Sequence, residues 1–279
     1  MWPKESNMMP WRLLNTLLIV AFWALLPLDA GWAWETLDEG LFFGQFAAPQ
    51  KPTGGDSKIL VLKIDPKYYR FKLFSASEFK SPPLSARDWA MKYKLSAAIN
   101  ASMYRADEPL SSTGYMKNFL YTNNPSIHGA YGAFFVANPV EAGLPETLII
   151  DRYLDNWREL IKKYHTVIQN FRMIAPGGKN AWNRQGAAHG ISCVATDKNS
   201  QVLFIHCRSN FTVRDFAGAL LALPLDIQKA MYVEGGPEAT LFINPKPNAA
   251  DGKNPAPPPW AVGDTNLWLL PNVLGIVKK

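Results

Sequence analysis

Cysteine is scarce in this chain: Cys193 and Cys207 are the two residues of that kind among 279. A scaffold stapled by several disulfides is therefore excluded, and without CxxC, HExxH or any regular Cys/His spacing the sequence argues against a structural zinc site. Charged residues make up 19% and form no block of one sign; 29 Lys plus Arg against 23 Asp plus Glu leave +6 spread along the chain. Such a surface attracts anionic substrates or envelopes, and it lacks the concentrated basic stripe of a nucleic-acid binder. No Gly-x-Ser-x-Gly elbow occurs. Gly177-Gly178-Lys179-Asn180 fails the phosphate-loop pattern, because Met173 stands where the first glycine belongs and Asn180 where Ser or Thr belongs. No GxGxxG and no regular βαβ rhythm appear, which removes the dinucleotide-binding parallel sheet.

What is present is a chain that can bury a core. Hydrophobic residues reach 48% and aromatics 13%, so intrinsic disorder is excluded and one domain of ordinary size fits. The first 33 residues stand apart. Lys4 and Arg12 precede an uninterrupted apolar run from Leu17 to Leu26, then Pro27 and the small residues Ala30, Gly31 and Ala33. This is the pattern of a secretory signal peptide over 1–33, processed after Ala30 or Ala33. The run is shorter than the roughly 20 apolar residues of a spanning helix; an uncleaved anchor steadied by Trp32 and Trp34 is the alternative. Residues 1–33 carry two charges of each sign, so the remainder keeps +6. Export to the periplasm or the outside would allow a Cys193–Cys207 disulfide if strand register sets the two opposite each other. Two buried thiols are the other reading.

Residues 34–57 read as an N-terminal segment and 58–279 as the domain. Lys58–Asp65 and Tyr68–Ser75 alternate as a hairpin-like pair. Ser85 with Asp88 opens a short helix through Trp89 to Tyr93, which leads into a small apolar strand, 96–100. Further strands are expected at 115–121, 130–137 and 167–174, and a helix at 152–164, where Tyr153, Leu154, Trp157, Leu160 and Ile161 keep helical spacing. Two strands follow at 188–196 and 201–207, a helix at 212–221 capped by Thr212 and Asp215, and strands at 229–233 and 239–243 around Glu234-Gly235-Gly236-Pro237. Six prolines in residues 244–260 mark an exposed loop, and 267–277 is a closing strand or two. Strands outnumber isolated helices, which points to a single α+β domain around a central, twisted, largely antiparallel sheet with a few helices.

Polar residues emerge from the ends of these apolar strands. Asn100 follows Ala97-Ala98-Ile99, Arg184 and His189 flank Gln185-Gly186-Ala187-Ala188, and Glu234 ends Met231-Tyr232-Val233 before two glycines. A carboxylate in the place of Glu234 has its pKa raised by desolvation and serves as general acid or base; the plainer role is to bond the amides of its own turn. Asn100 either binds sugar hydroxyls or locks the following loop. Arg184 offers a planar fork for a phosphodiester, and His189 a second proton donor.

The order of these pieces resembles the phosphodiester glycosidase family. The matching segments are Ala97 to Tyr104, Tyr131-Gly132-Ala133-Phe134, Arg184 to Gly190, the helix from Phe211 to Leu223, and Tyr232-Val233-Glu234-Gly235-Gly236. Together they span about residues 58–244. Ala101 and Ser102 replace the family's glycine turn, Tyr131 replaces an asparagine and Glu234 an aspartate. The resemblance implies an exported hydrolase acting on a sugar-1-phosphodiester or related glycan linkage. Glu234, Arg184 and His189 would be catalytic, and Asn100, Ser102, Tyr104, Tyr131, Gly132, Gly235 and Gly236 would contact substrate. The expected partner is a carbohydrate or sugar phosphodiester, with no nucleic acid and no membrane beyond the signal sequence. No cofactor and no metal ligand are expected, and metal dependence stays open. A non-catalytic envelope module binding glycan or protein in the same cleft is the alternative reading, and Trp182, His128, Arg172 and Arg208 are secondary candidates.

Overall fold

Apolar strands buried on both faces organise the molecule. The computed structural model describes Met1, residues 34–244 and residues 268–279; the signal-peptide pattern and all but Asn244 of the proline-rich stretch lie outside the described residues. The large sheet runs, in spatial order, β1 (Glu35–Asp38), β2 (Leu41–Ala47), β3 (Lys58–Ile64), β14 (Val202–Phe211), β13 (His189–Asp197), β15 (Ile227–Gly235), β11 (Arg172–Ala175) and β12 (Lys179–Asn180). A five-stranded sheet is ordered β7 (Tyr121–Asn124), β6 (Met116–Asn118), β10 (Tyr164–Asn170), β8 (Ala133–Pro139) and β9 (Thr147–Asp151). A four-stranded sheet is ordered β16 (Leu241–Ile243), β5 (Ala97–Asn100), β17 (Asn272–Lys278) and β4 (Tyr69–Ser75). Among the described residues every strand pairing is antiparallel.

Alternate side chains of the large sheet serve two cores. Leu62, Phe204, Val194 and Met231 face inward against Phe71, Ile99, Phe135, Ile168 and Leu274 of the two smaller sheets. Val61, Ile205, Cys193 and Ala230 face the other way, against Phe216, Ala217 and Leu220. Those three belong to α3 (Val213–Leu221). Burial on both sides explains why β14 reads as a nearly continuous apolar run. The helix α1 (Ala86–Tyr93) covers the outer face of the four-stranded sheet with Trp89. Both helices start on the same local device. Asp88 N donates to Ser85 Oγ at 3.1 Å and Asp215 N donates to Thr212 Oγ1 at 3.1 Å, while each hydroxyl donates back to its aspartate at 2.8 Å.

Three expectations are corrected by the chain's long-range pairing. The strands β3 and β4 exist but are not a hairpin: β3 pairs with β2 and β14, and β4 pairs with β17. A turn in which Tyr68 N and Tyr69 N both donate to the Asp65 carbonyl carries the chain into another sheet. There Tyr69 and Phe71 meet Leu62 and Ile64 across the core. The run 167–174 is two strands, broken at Phe171. Asn170 pairs with Ala133 in one sheet and Arg172 with Met231 in the other, and the Asn170 side chain accepts from Phe171 N (2.8 Å) and donates to the Val233 carbonyl (3.1 Å). The helix expected over 152–164 shrinks to one turn, α2 (Trp157–Leu160), and a 3-10 turn, Ile161–Lys163. Tyr153 and Leu154 stay largely exposed ahead of it, so the apparent stripe is not one helical face.

Register also decides the cysteine question. Cys193 lies opposite Ile205 and Cys207 opposite Ile191, an offset of two residues, and both thiols are free and buried. Diagonal neighbours stand roughly 7–8 Å apart, beyond the Cα span of a disulfide. Burial pushes both thiols up, Cys207 to about 11. Reductant is therefore expected to leave the melting temperature unchanged, and a thiol reagent to label neither cysteine until the protein is unfolded. Labelling of the native protein at the rate of free cysteine contradicts this packing.

Candidate functional site

Antiparallel pairing sets the end of one strand beside the start of its neighbour. By that rule β15 ends at Glu234–Gly235 where β13 begins at His189, and β8 begins after Tyr131–Gly132 where β10 ends at Asn170. The β13–β15 ladder shifts register between Ser192 and Cys193, next to the Ser192–Glu234 pair, and the β13–β14 ladder shifts between His189 and Ile191. Bulges of this kind re-aim side chains at strand ends. The sheet thus turns Glu234 and His189 out of the regular alternation.

Glu234 is 7% exposed, and Gly235 N donates to its Oε1 at 2.9 Å. Burial pushes its carboxyl up to about 8; the Gly235 amide opposes the rise and the Glu238 charge adds to it. Burial therefore favours the protonated form of this carboxyl. Gly235 lies beneath the Tyr232 hydroxyl and the His189 ring, and a Cβ there would meet both, with His189 Nδ1 at 2.7 Å. Only glycine fits that close approach. Gly236 follows at φ +76°, the left-handed region that glycine adopts freely, and opens a 3-10 turn Gly236–Glu238.

Asn100 holds that turn from the other sheet. Its Nδ2 donates to the Glu238 carbonyl and its Oδ1 accepts from Thr240 N, both at 2.8 Å. Ser102 is buried and its hydroxyl is taken up by Ser112 Oγ (2.9 Å) and the Met103 carbonyl (3.0 Å). Gly132 lies under the Tyr153 ring and against Arg172 Cβ. Arg172 pairs with Asp151 at 3.0 Å and packs over Tyr153, so it braces the structure behind Gly132. Ser102 is held by hydrogen bonds within its own segment, and Gly132 is packed under Tyr153.

Aromatic rings line one side. His128 stacks on Tyr131 at 3.9 Å, Tyr131 meets the Phe171 edge at 4.4 Å, and Trp182 bridges Phe171 (5.3 Å) and Tyr232 (5.5 Å). The exposed Arg184 guanidinium sits 4.5 Å over Phe171. Its charge reaches His128, whose imidazole is pushed down first by burial and then by Arg184 and Arg152. Burial pushes the Tyr131 and Tyr232 phenols up; for Tyr131 its hydrogen bond to Thr113 opposes the rise, and the Glu234 charge adds to it in both. Tyr104 is raised by burial and by the carboxylates of Glu238 and Glu234, against a hydrogen bond from Trp268 Nε1 at 3.2 Å. Glu234, Arg184, His189, Tyr104, Tyr131, Gly235 and Gly236 therefore share one neighbourhood, with Asn100 supporting it from below. Sequence reasoning missed Glu238, Tyr232 and Phe171. Among the described residues no three His, Cys, Asp or Glu side chains gather as a metal-binding group.

A buried carboxyl, an exposed arginine and a row of aromatic rings thus gather at the strand ends of an antiparallel α+β domain. The chain belongs to the phosphodiester glycosidase family, whose model matches residues 93–277. The fold is also that of the catalytic domain of zebrafish N-acetylglucosamine-1-phosphodiester alpha-N-acetylglucosaminidase, a structure auto-inhibited by its pro-peptide. The two are 13% identical with a TM-score of 0.59 over 88% of this chain and 86% of that one. A hypothetical protein of Synechocystis matches with 12% identity and a TM-score of 0.59, over 88% of this chain and 63% of the other. A Burkholderia pseudomallei protein known by name only as exported matches with 9% identity and a TM-score of 0.53, over 81% and 75%. Comparison with curated proteins finds no match.

Proposed function

We propose that this protein is an exported hydrolase that releases sugar from a sugar-1-phosphodiester or a related glycan linkage. One observation carries the reading: Glu234 is a buried carboxyl at a strand end, its proton favoured by burial, in the same neighbourhood as the exposed Arg184. Cleaving the bond from the anomeric carbon to a phosphate oxygen passes through an oxocarbenium-like state, and Glu234 donates its proton to the departing oxygen. Arg184 pairs with the phosphate charge in a fork geometry. Tyr104, Tyr131 and Trp182 offer faces to the sugar, and His189 packs over Gly235, where it steadies the turn and faces the leaving group. Family membership supports the reaction class, and the zebrafish enzyme's name supports an N-acetylglucosamine phosphodiester as the first substrate to try.

Export rests on the amino-terminal pattern and on the name of the Burkholderia protein. Among the described residues no helix is long and apolar enough to cross a membrane.

Arg184→Ala is the direct test. A charge-assisted contact to phosphate is worth about 1.5–3 kcal/mol, so kcat/KM on a sugar-1-phosphodiester is expected to fall about 10–100-fold, with melting unchanged because the side chain is exposed. Unchanged turnover by this variant removes Arg184 from the site. Binding without turnover by the wild type favours a non-catalytic module.

A further inference from the structure

Glu238 has no role in the account so far, yet both its backbone and its carboxylate have defined contacts. It closes the 3-10 turn Gly236–Glu238, four residues after Glu234. Its backbone carbonyl accepts from Asn100 Nδ2 at 2.8 Å, and two residues on Thr240 N donates to the same Asn100 side chain. Its carboxylate folds back over Gly236, with Oε2 3.3 Å from where a Cβ on that glycine would stand. Its charge acts on the Tyr104 phenol, to which Trp268 Nε1 donates at 3.2 Å. Glu238 is half-buried whereas Glu234 is buried, so one carboxyl meets water and the other does not. A water-facing carboxyl beside a buried one is an arrangement in which one group can give a proton and the other take one.

We propose that Glu238 is the second catalytic carboxylate of this site, acting as the base that activates the attacking water. The inference rests on the hydrolase reading above and names the group that completes it. Glu238 takes a proton from water as the water oxygen bonds to the anomeric carbon. The bond from that carbon to the phosphate oxygen breaks, its electron pair stays with the oxygen, and Glu234 supplies that oxygen with a proton. Free sugar and a phosphomonoester result, and proton exchange with solvent resets the pair. Asn100 is then a positioning residue, acting through the backbone of Glu238.

The test uses the purified protein without its first 33 residues and an N-acetylglucosamine-1-phosphodiester. Glu238→Gln is expected to lower kcat by about 100-fold or more, with KM and melting temperature held. In Glu238→Ala, azide is expected to restore turnover as a glycosyl azide, because an anionic nucleophile needs no base; a merely structural role gives no such rescue. First-formed sugar of inverted configuration agrees with attack by water. If the wild type turns over while Glu238→Gln does so equally well, or if azide rescues nothing, or if configuration is retained, the base assignment is overturned and the hydrolase reading survives. If the wild type releases no sugar, both fall together.

Discussion

Glu234→Gln is expected to abolish sugar release at every pH and to remove this group's share of the pH dependence of stability. The substitution keeps the shape and the acceptor for Gly235 N, so the turn that Glu234 closes at 2.9 Å persists. It removes the proton that the reaction needs. In the wild type, activity is expected to fall as pH rises through about 8, the value to which burial pushes this carboxyl. The sign for stability follows from proton binding. The unfolded chain releases the Glu234 proton near its ordinary value of 4.5, whereas the folded chain holds it to about 8. Between those limits the folded state binds more protons, so this group's contribution is full below 4.5 and declines as pH rises to 8. At about 1.4 kcal/mol per unit, the decline reaches up to about 5 kcal/mol. Glutamine has no such loss. Denaturant unfolding of both proteins at pH 5 and pH 9 is expected to show the variant gaining on the wild type across that interval. Parallel stability curves would mean that the carboxyl is not buried as described.

Asn100→Ala carries the next largest effect. Its amide serves the Glu238 carbonyl and the Thr240 amide, each at 2.8 Å, and Asn100 itself is 2% exposed. Alanine leaves two polar backbone groups unpaired at roughly 1–3 kcal/mol each, a loss of about 2–6 kcal/mol. For a domain of this size that lowers the melting temperature by roughly 4–24 °C. Turnover is expected to fall further than stability alone accounts for, at temperatures where the variant remains folded, because the turn bearing Gly235, Gly236 and Glu238 loses its anchor. Were Asn100 a sugar ligand with no part in the fold, KM would rise and melting would stay put.

What was legible in the sequence was chiefly what local chemistry decides. Ser85 and Thr212 cap their helices through partners three residues away, and both caps form where the pattern puts them. The antiparallel α+β class follows from many apolar strands and few helices. Partner choice between strands was not legible, since the alternation of β3 and β4 is the same whether they pair edge to edge or pack face to face. The Phe171 break was hidden for a similar reason: the apolar run continues while Asn170, a buried amide, hands the chain from one sheet to another. In the site, Glu234, Arg184 and His189 stood out as polar residues at strand ends, and the resemblance supplied their order. Glu238 did not stand out, because its significance lies in a hydrogen bond from Asn100, 138 positions earlier. The aromatic wall joins Tyr131, Phe171, Trp182 and Tyr232 from distant segments, and nothing local distinguishes those rings from core.

The most direct measurement follows phosphorus by NMR during incubation of the purified domain with an N-acetylglucosamine-1-phosphodiester. The wild type is expected to convert the diester signal into a phosphomonoester with release of one free sugar for each, while Glu234→Gln leaves the diester intact and melts as a folded protein. Conversion by Glu234→Gln at the wild-type rate, or an unchanged diester with the wild type across glycan phosphodiesters, contradicts the assignment of these residues as a glycosyl-cleaving site.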